Sequence, residues 1–203
     1  MKKILYSVLT LILGLVLSSS GCNTMDTPDS DTYDKGVEIG GVVWATRNVA
    51  EFGKFAAAPE DAGMFYQWNR KTAWPVTGAV SGWDPSQDAG TVWEPKNDPC
   101  PAGWQVPTKA QFEALIASHH YAWEPLFGVN GCKFGNSTHF IFLPAAGNLS
   151  FANGAFIVSD FGFYFAKEQT DTQFANFLYF SPITLGISGY NKAAGVSIRC
   201  VKK

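Results

Sequence analysis

The sequence has little charge and few of the residues that build common catalytic sites. Lys and Arg total 15, Asp and Glu total 17 and His only 3 among 203 residues, for a net charge of −2. No basic stripe is present, which excludes a typical nucleic-acid-binding protein. The chain also lacks a Gly-x-Ser-x-Gly elbow, a P-loop, a dinucleotide fingerprint, a His-Glu-x-x-His pair and a Cys-x-x-Cys pair. We therefore expect no enzyme activity and no cofactor, although catalytic groups can also converge from distant segments.

Aromatic residues are abundant instead. They make up 15% of the chain, with seven Trp and sixteen Phe, and the hydrophobic content of 46% can fill the core of one domain. Such a composition is typical of a β-rich core that uses aromatic side chains as filler. An aromatic-lined binding surface is the alternative interpretation, and composition alone leaves it open.

The first 22 residues have the pattern of a bacterial lipoprotein signal. Lys2 and Lys3 precede an apolar run over 4–17, which small residues at 18–21 and then Cys22 follow. The run is short for a membrane span. We expect a signal peptide over 1–21 and acylation of Cys22, with the protein held at the outer membrane or cell surface by its lipid. The alternative is simple secretion with cleavage nearby.

Residues 22–36 are rich in Asp, Thr, Ser and Pro and nearly free of apolar side chains. This composition predicts a disordered acidic tether, with the folded domain over 37–203. Its aspartates are either a surface-export signal of the kind found in lipoproteins or a solvated spacer. They are Asp26, Asp29, Asp31 and Asp34.

Within the domain, the patterns predict an α+β fold. A hairpin is expected over 37–49 around Gly40-Gly41, and a second over 132–143. Thr108 and Gln111 form a capping-box pair that starts a helix ending near His119-His120. Further strands are expected over 154–166, 176–180 and 194–201, whereas 60–69 reads equally as a short helix or a strand. Adjacent histidines on a helix point in different directions, so we expect no metal site there.

Residues 71–97 form a long stretch without clear secondary structure. It carries Trp74, Trp83 and Trp93 among several Gly and Pro residues. A connection of this length is uncommon unless it is functional or is packed by its own side chains. The three tryptophans either fold the loop onto the body or contact a ligand. For the second interpretation, the candidate contacts are these tryptophans together with Trp123 and Glu124 of a later loop.

Three cysteines remain after Cys22. Export places them in an oxidising compartment, so one disulfide is expected. Cys100 and Cys200 are the preferred pair, because Cys100 precedes the first clear helix and Cys200 lies in the last strand. Cys132 would then be a buried apolar residue or a free thiol. Spacing alone leaves the pairing open.

Five blocks of sequence in order resemble the Fibrobacter succinogenes major paralogous domain. They begin at Gly41, Gly63, Asp98, Leu143 and Ala194, and the longest reads Asp-Pro-Cys-Pro-Ala-Gly-Trp-Gln-Val-Pro-Thr. That family is similar to the C-type-lectin-like fold and to its formylglycine-generating branch. The resemblance implies a short helical layer against twisted antiparallel sheets, termini close together, and a Cys100–Cys200 disulfide.

Two activities of related proteins do not transfer to these residues. Calcium-dependent lectins carry Glu-Pro-Asn and Trp-Asn-Asp, but here Glu124-Pro125 is followed by Leu126. Formylglycine-generating enzymes use a cysteine pair with copper, which Cys132 alone cannot supply. We therefore expect a surface-anchored, non-catalytic recognition or adhesion module for a glycan or protein ligand. The alternatives are a structural accessory subunit of a fimbria or cell-envelope assembly and, third, an oxidase.

Overall fold

The computed structural model describes residues 30–76, 80–118 and 122–203. The first half of this chain contains short strands, one α-helix and one 3-10 turn. In chain order these are β1 Val37–Ile39, β2 Val42–Asn48, β3 Phe65–Tyr66, β4 Ala73–Trp74, the 3-10 turn Pro95–Asn97, β5 Trp104–Gln105 and α1 Lys109–Ala117.

The second half is almost entirely β-structure. Its strands are β6 Ala122–Trp123, β7 Gly131–Gly135, β8 Phe140–Pro144, β9 Asn148–Leu149, β10 Phe156–Ile157, β11 Gly162–Gln169, β12 Phe174–Ser181, β13 Thr184–Asn191 and β14 Arg199–Lys202. No helix in the described ranges is long and apolar enough to span a bilayer.

The strands form five sheets whose paired strands all run antiparallel. A four-stranded sheet has the order β1-β2-β14-β5, and two three-stranded sheets have the orders β6-β7-β8 and β11-β12-β13. Strands β3 with β4 and β9 with β10 form the two small sheets. The predicted combination of antiparallel sheets with a short helix is confirmed. Since β2 pairs with β14, the first and last parts of the domain lie side by side.

Both predicted hairpins are present. Ile39 pairs with Val42, and the intervening Gly40 and Gly41 have φ values of 60° and 75°. A two-residue turn with two positive φ angles matches the twist of the strands and favours Gly-Gly. In the second hairpin β7 pairs with β8 over five residue pairs.

The helix begins as the capping-box pattern predicts. The Thr108 hydroxyl accepts from the Gln111 backbone N–H at 3.1 Å, and the Gln111 side chain accepts from the Thr108 N–H at 2.8 Å. Phe112 and Leu115 are fully buried beneath the helix. His119 and His120, where the helix was expected to end, lie outside the described residues.

The sheet β11-β12-β13 separates two clusters of buried side chains. Tyr164 and Phe180 on one face belong to the cluster beneath the helix. Phe165 and Phe177 on the other face belong to the cluster around Trp68. Because successive side chains of a strand point to opposite faces, the aromatic-rich strands fill both clusters at once.

The predicted disulfide is confirmed. Cys100 and Cys200 are bonded, with their Cα atoms 6.0 Å apart and 100 residues between them in sequence. The bond joins the proline-rich loop before α1 to the last strand. Cys132 is a free and fully buried thiol, and burial raises its pKa to about 12.

The end of the predicted tether is folded onto the domain. Asp34 is only 5% exposed, accepts hydrogen bonds from the Gly36 and Thr46 backbone N–H groups, and lies 3.5 Å from the Arg47 guanidinium. The Phe55 N–H also donates to the Asp31 carbonyl. Residues 30–36 therefore belong to the folded body, which begins before the predicted boundary at Val37. Composition suggested disorder because it does not reveal these long-range polar contacts.

Candidate ligand-binding surface

The loop over 80–97 has almost no regular structure, but a buried lysine holds it in place. The Lys192 ammonium donates to the carbonyls of Asp88 at 3.1 Å and Gly90 at 3.0 Å, and to the Gln169 side chain at 2.8 Å. It also lies 4.7 Å from the centroid of the Trp68 ring. Burial lowers the Lys192 pKa. The ammonium therefore links the loop, at Asp88 and Gly90, to Gln169 of β11 and to the Trp68 ring.

Two polar residues after β3 hold the same loop from the other side. Asn69, at φ 59°, accepts from the Glu94 N–H at 2.8 Å and donates to the Asp88 carboxylate at 2.8 Å. The Arg70 guanidinium donates to the Asp84 carboxylate at 2.5 Å, and this hydrogen bond is the main cause that lowers the Asp84 pKa to about 2. These contacts hold the loop in place although its only regular structure among the described residues is the 3-10 turn Pro95–Asn97.

Two tryptophans lie against each other at the surface, Trp74 in strand β4 and Trp83 in the 80–97 loop. The rings of Trp74 and Trp83 lie 5.2 Å apart between centroids, tilted by 51°, and both side chains are half-buried. The Trp83 indole N–H donates to the Phe151 carbonyl at 3.0 Å. A Cβ at Gly154 would lie 2.7 Å from the Trp83 ring, so that position has to be glycine. We call Trp74 and Trp83 the tryptophan pair.

The β9–β10 hairpin extends this aromatic surface. Phe151 is 51% exposed next to Trp83, and Phe156 stacks on buried Phe65 at a centroid distance of 6.1 Å. Neither phenylalanine is predicted from the sequence as a contact residue. The dipeptide Asn153-Gly154, a strong hairpin-turn signal between them, could have indicated that they flank one turn.

Trp93 is not available to a ligand, which corrects its assignment as a contact residue. Its side chain is 1% exposed, and its indole N–H donates to the Asn97 carbonyl at 2.9 Å. The ring packs edge-on against Trp68 at 6.0 Å and against Phe165 at 6.4 Å. Trp93 therefore attaches the loop to the core.

Trp123 and Glu124 belong to a different part of the molecule. Trp123 packs edge-on over Phe180 at 6.4 Å, in the cluster beneath the helix. The Glu124 carboxylate lies 3.1 Å from the Lys133 ammonium, an ion pair across β6 and β7. Trp123 thus packs against another sheet, Glu124 pairs with a residue of the neighbouring strand, and neither residue joins the tryptophan pair.

An open groove of about 620 Å³ is lined by residues that flank the β3–β4 pair in sequence. Its lining includes Met64 and Val76, two residues beyond Trp74 in sequence, and small side chains such as Ala56 and Ala62. Three carboxylates stand on the same lining, from Asp31, Glu51 and Asp61. An apolar floor with a few polar groups is the usual composition of a ligand site.

The groove does not offer a metal centre. Across 30–76, 80–118 and 122–203, no three His, Cys, Asp or Glu side chains are placed to share a metal ion. The carboxylates of the groove instead provide hydrogen-bond acceptors beside aromatic and aliphatic surface.

Comparison with known proteins finds no matching family model, no matching curated protein and no matching solved structure.

Proposed function

We propose that this protein is a lipid-anchored, non-catalytic recognition module that binds a glycan or protein ligand through the tryptophan pair and the adjoining groove. The observation that carries the proposal is the half-buried tryptophan pair itself, with Trp74 in β4 and Trp83 on the 80–97 loop. Lys192, Asn69 and Arg70 hold that loop in place. Rigid aromatic side chains supply large contact area at little cost in conformational entropy, which is why tryptophan is enriched at binding hot spots.

The chemistry of the surface suits a ligand with apolar faces and hydroxyl or amino donors. The rings of Trp83 and Phe151 stack on C–H faces of sugars or on side chains of a peptide. Asp61 and Glu51 in the groove accept hydrogen bonds from hydroxyl or ammonium groups. A glycan combines these features, and so does a peptide with aliphatic and basic residues.

The cysteines argue against the oxidase alternative. Cys100 and Cys200 are bonded to each other, and Cys132 is buried with a pKa raised to about 12. A reactive cysteine needs an accessible thiolate at neutral pH. None of these three provides one, so the recognition proposal accounts better for them.

We also propose that the domain belongs to the Fibrobacter succinogenes major paralogous domain group and has the C-type-lectin-like fold. Three features support this assignment: a single short helix over antiparallel sheets, the pairing of β2 with β14, and the Cys100–Cys200 bond. Folds of this kind present variable loops on a rigid scaffold, and the 71–97 loop fits that use.

Removal of either member of the tryptophan pair should weaken recognition. The chain is screened against arrays of glycans and of cell-surface proteins, and the affinity for the best ligand is then measured by calorimetry. We expect Trp83→Ala to weaken that affinity roughly 30-fold, since hot-spot truncations cost about 2 kcal/mol or more. Trp74→Ala should have a similar effect because the two rings support each other.

Phe127→Asn is the matched control. Phe127 is 83% exposed in the loop between β6 and β7, and its φ of 47° is one that asparagine tolerates. This variant should bind as the wild type does. A ligand that binds equally well without Trp83 and Trp74 would refute the proposed surface, and the absence of any ligand on either array would count against recognition altogether.

Lipid anchoring rests on Cys22, which lies outside the described residues. Cys22→Ser should lose metabolic acyl label and should no longer sediment with membranes, because the acyl chains provide the anchor. A Ser20→Ala variant, which keeps a small residue before the cysteine, should remain labelled. Undiminished label in Cys22→Ser would disprove the anchor.

A further inference from the structure

Strand β13 lies at the open edge of the sheet β11-β12-β13. All eight of its residues, Thr184–Asn191, pair with β12 in one continuous register without a bulge. The register continues beyond the strand, where the Lys192 N–H donates to the Gln173 carbonyl. Bonded and non-bonded pairs alternate along antiparallel strands. The residues whose N–H and C=O groups point away from β12 are therefore Leu185, Ile187 and Gly189.

This edge lacks the usual protection against pairing with another chain. Natural edge strands are short, charged, bulged, covered or interrupted by proline. Thr184–Asn191 has no charged residue and no proline, and its middle residue Ser188 is exposed. Among the described residues, no strand or loop makes a backbone hydrogen bond to the outward groups of 185–189.

The opposite edge of the same sheet, strand β11, is protected by backbone hydrogen bonds to other parts of the chain. On β11, the Lys167 N–H donates to the Pro107 carbonyl, and its carbonyl accepts from the Trp93 N–H. Tyr164 of β11 also forms a parallel bridge with Ser197. The edge of β11 is thus covered by the chain itself, whereas no residue of the described ranges pairs with the outer edge of β13.

A second copy of β13 fits this edge in an antiparallel arrangement about a two-fold axis. In a continuous sheet, opposed residues lie on the same face. Ile187 and Ser188 are at the centre of Thr184–Asn191, so a two-fold axis at either one overlaps the largest part of the two strands. With the axis at Ile187, Leu185 lies opposite Gly189 of the second copy. With the axis at Ser188, Ile187 lies opposite that glycine. Either register sets a large aliphatic side chain against a glycine and brings the outward N–H and C=O groups of both copies together.

Charge favours the same occupant. Since Thr184–Asn191 carries no charge, two copies meet without like-charge repulsion along the whole strand. We propose that the chain forms a homodimer by antiparallel pairing of β13 with β13 of a second copy, giving one six-stranded sheet. This interface is independent of the tryptophan pair and of the recognition function.

A lysine at the centre of the edge tests the interface. The full-length chain is purified in detergent and studied by sedimentation equilibrium with the detergent density-matched to the solvent. The wild type should change from monomer to dimer as its concentration rises through the micromolar range. Ser188→Lys should remain monomeric, because each copy would present a like charge near the axis. Ser188→Thr, of similar size and with good strand propensity, should dimerise as the wild type does.

A cross-linking variant keeps the test decisive should Ser188→Lys fold poorly. Ser188→Cys treated with a short bis-maleimide should give a covalent dimer, whereas the wild type should give none, because Cys132 is buried. A wild type that stays monomeric throughout, or a dimer that Ser188→Lys leaves intact and Ser188→Cys does not cross-link, would overturn the proposal. The second outcome would assign dimerisation to another surface.

Discussion

Replacing Cys200 with serine will lower the free energy of unfolding by about 4–5 kcal/mol. The bond between Cys100 and Cys200 closes a loop of 100 residues, and the unfolded chain without it gains the conformational freedom of that loop. Equilibrium urea denaturation of the wild type and of Cys200→Ser measures the difference. Because domains of this size have only about 5–15 kcal/mol of stability, the variant should be near the limit of folding at 37 °C.

The double variant Cys100→Ser/Cys200→Ser provides the control. If the loss comes from the disulfide, removal of the second cysteine should add little to removal of the first, a non-additivity expected of two residues in one interaction. Reduction of the wild type should reproduce the same loss. A loss of less than about 1 kcal/mol, or full additivity of the two serine substitutions, would contradict the assignment of stability to this bond.

Replacing Arg199 with methionine should cost about 3–5 kcal/mol. The Arg199 side chain is fully buried and donates to Asn48 Oδ1 at 3.0 Å, to the Ala45 carbonyl at 3.0 Å and to the Phe142 carbonyl at 2.8 Å. Methionine fills similar volume but leaves three buried acceptors without donors, at about 1–3 kcal/mol each before relaxation. Burial lowers the Arg199 pKa to about 10, so the guanidinium remains charged at neutral pH.

Two further variants separate the hydrogen bonds from the charge. Arg199→Lys keeps the charge but not the planar fork, so it should recover only part of the loss. Lys203→Met, an exposed substitution next to the same strand, should change stability by no more than about 0.5 kcal/mol. If Arg199→Met and Lys203→Met have the same stability by urea denaturation, the guanidinium does not hold β2, β8 and β14 together.

Local rules predicted the parts of the fold whose causes are local. Gly40-Gly41 specified a hairpin, and Thr108 with Gln111 specified the start of a helix, because the residues that interact lie within a few positions of each other. The strand β13 was missed, since Gly186 and Gly189 interrupt its pattern. The reason for a glycine at position 186 lies in a cross-strand contact that the sequence does not reveal. A Cβ there would lie 2.8 Å from the Tyr179 hydroxyl.

The candidate surface was predictable only in part for the same reason. Trp74, Trp83 and Trp93 look alike in sequence, and only the packing of Trp93 against Trp68 and Phe165 reveals that it is core. Residues 30–36 likewise have the composition of a spacer, and only the ion pair between Asp34 and Arg47 shows that they are folded onto the domain. The exposure of a side chain depends on contacts with residues that are distant in sequence. Residue type alone therefore does not separate exposed contact residues from core residues.

The buried ammonium of Lys192 has a consequence for the order in which the protein is completed. Lys192 is synthesised 104 residues after Asp88, whose carbonyl it binds, and Gln169, which shares the ammonium, also follows late. The loop that bears Trp83 thus gains its anchoring cation only after most of the domain has been synthesised. A partly synthesised chain lacks the contacts that hold this loop, so the surface around Trp83 is completed only with the whole domain.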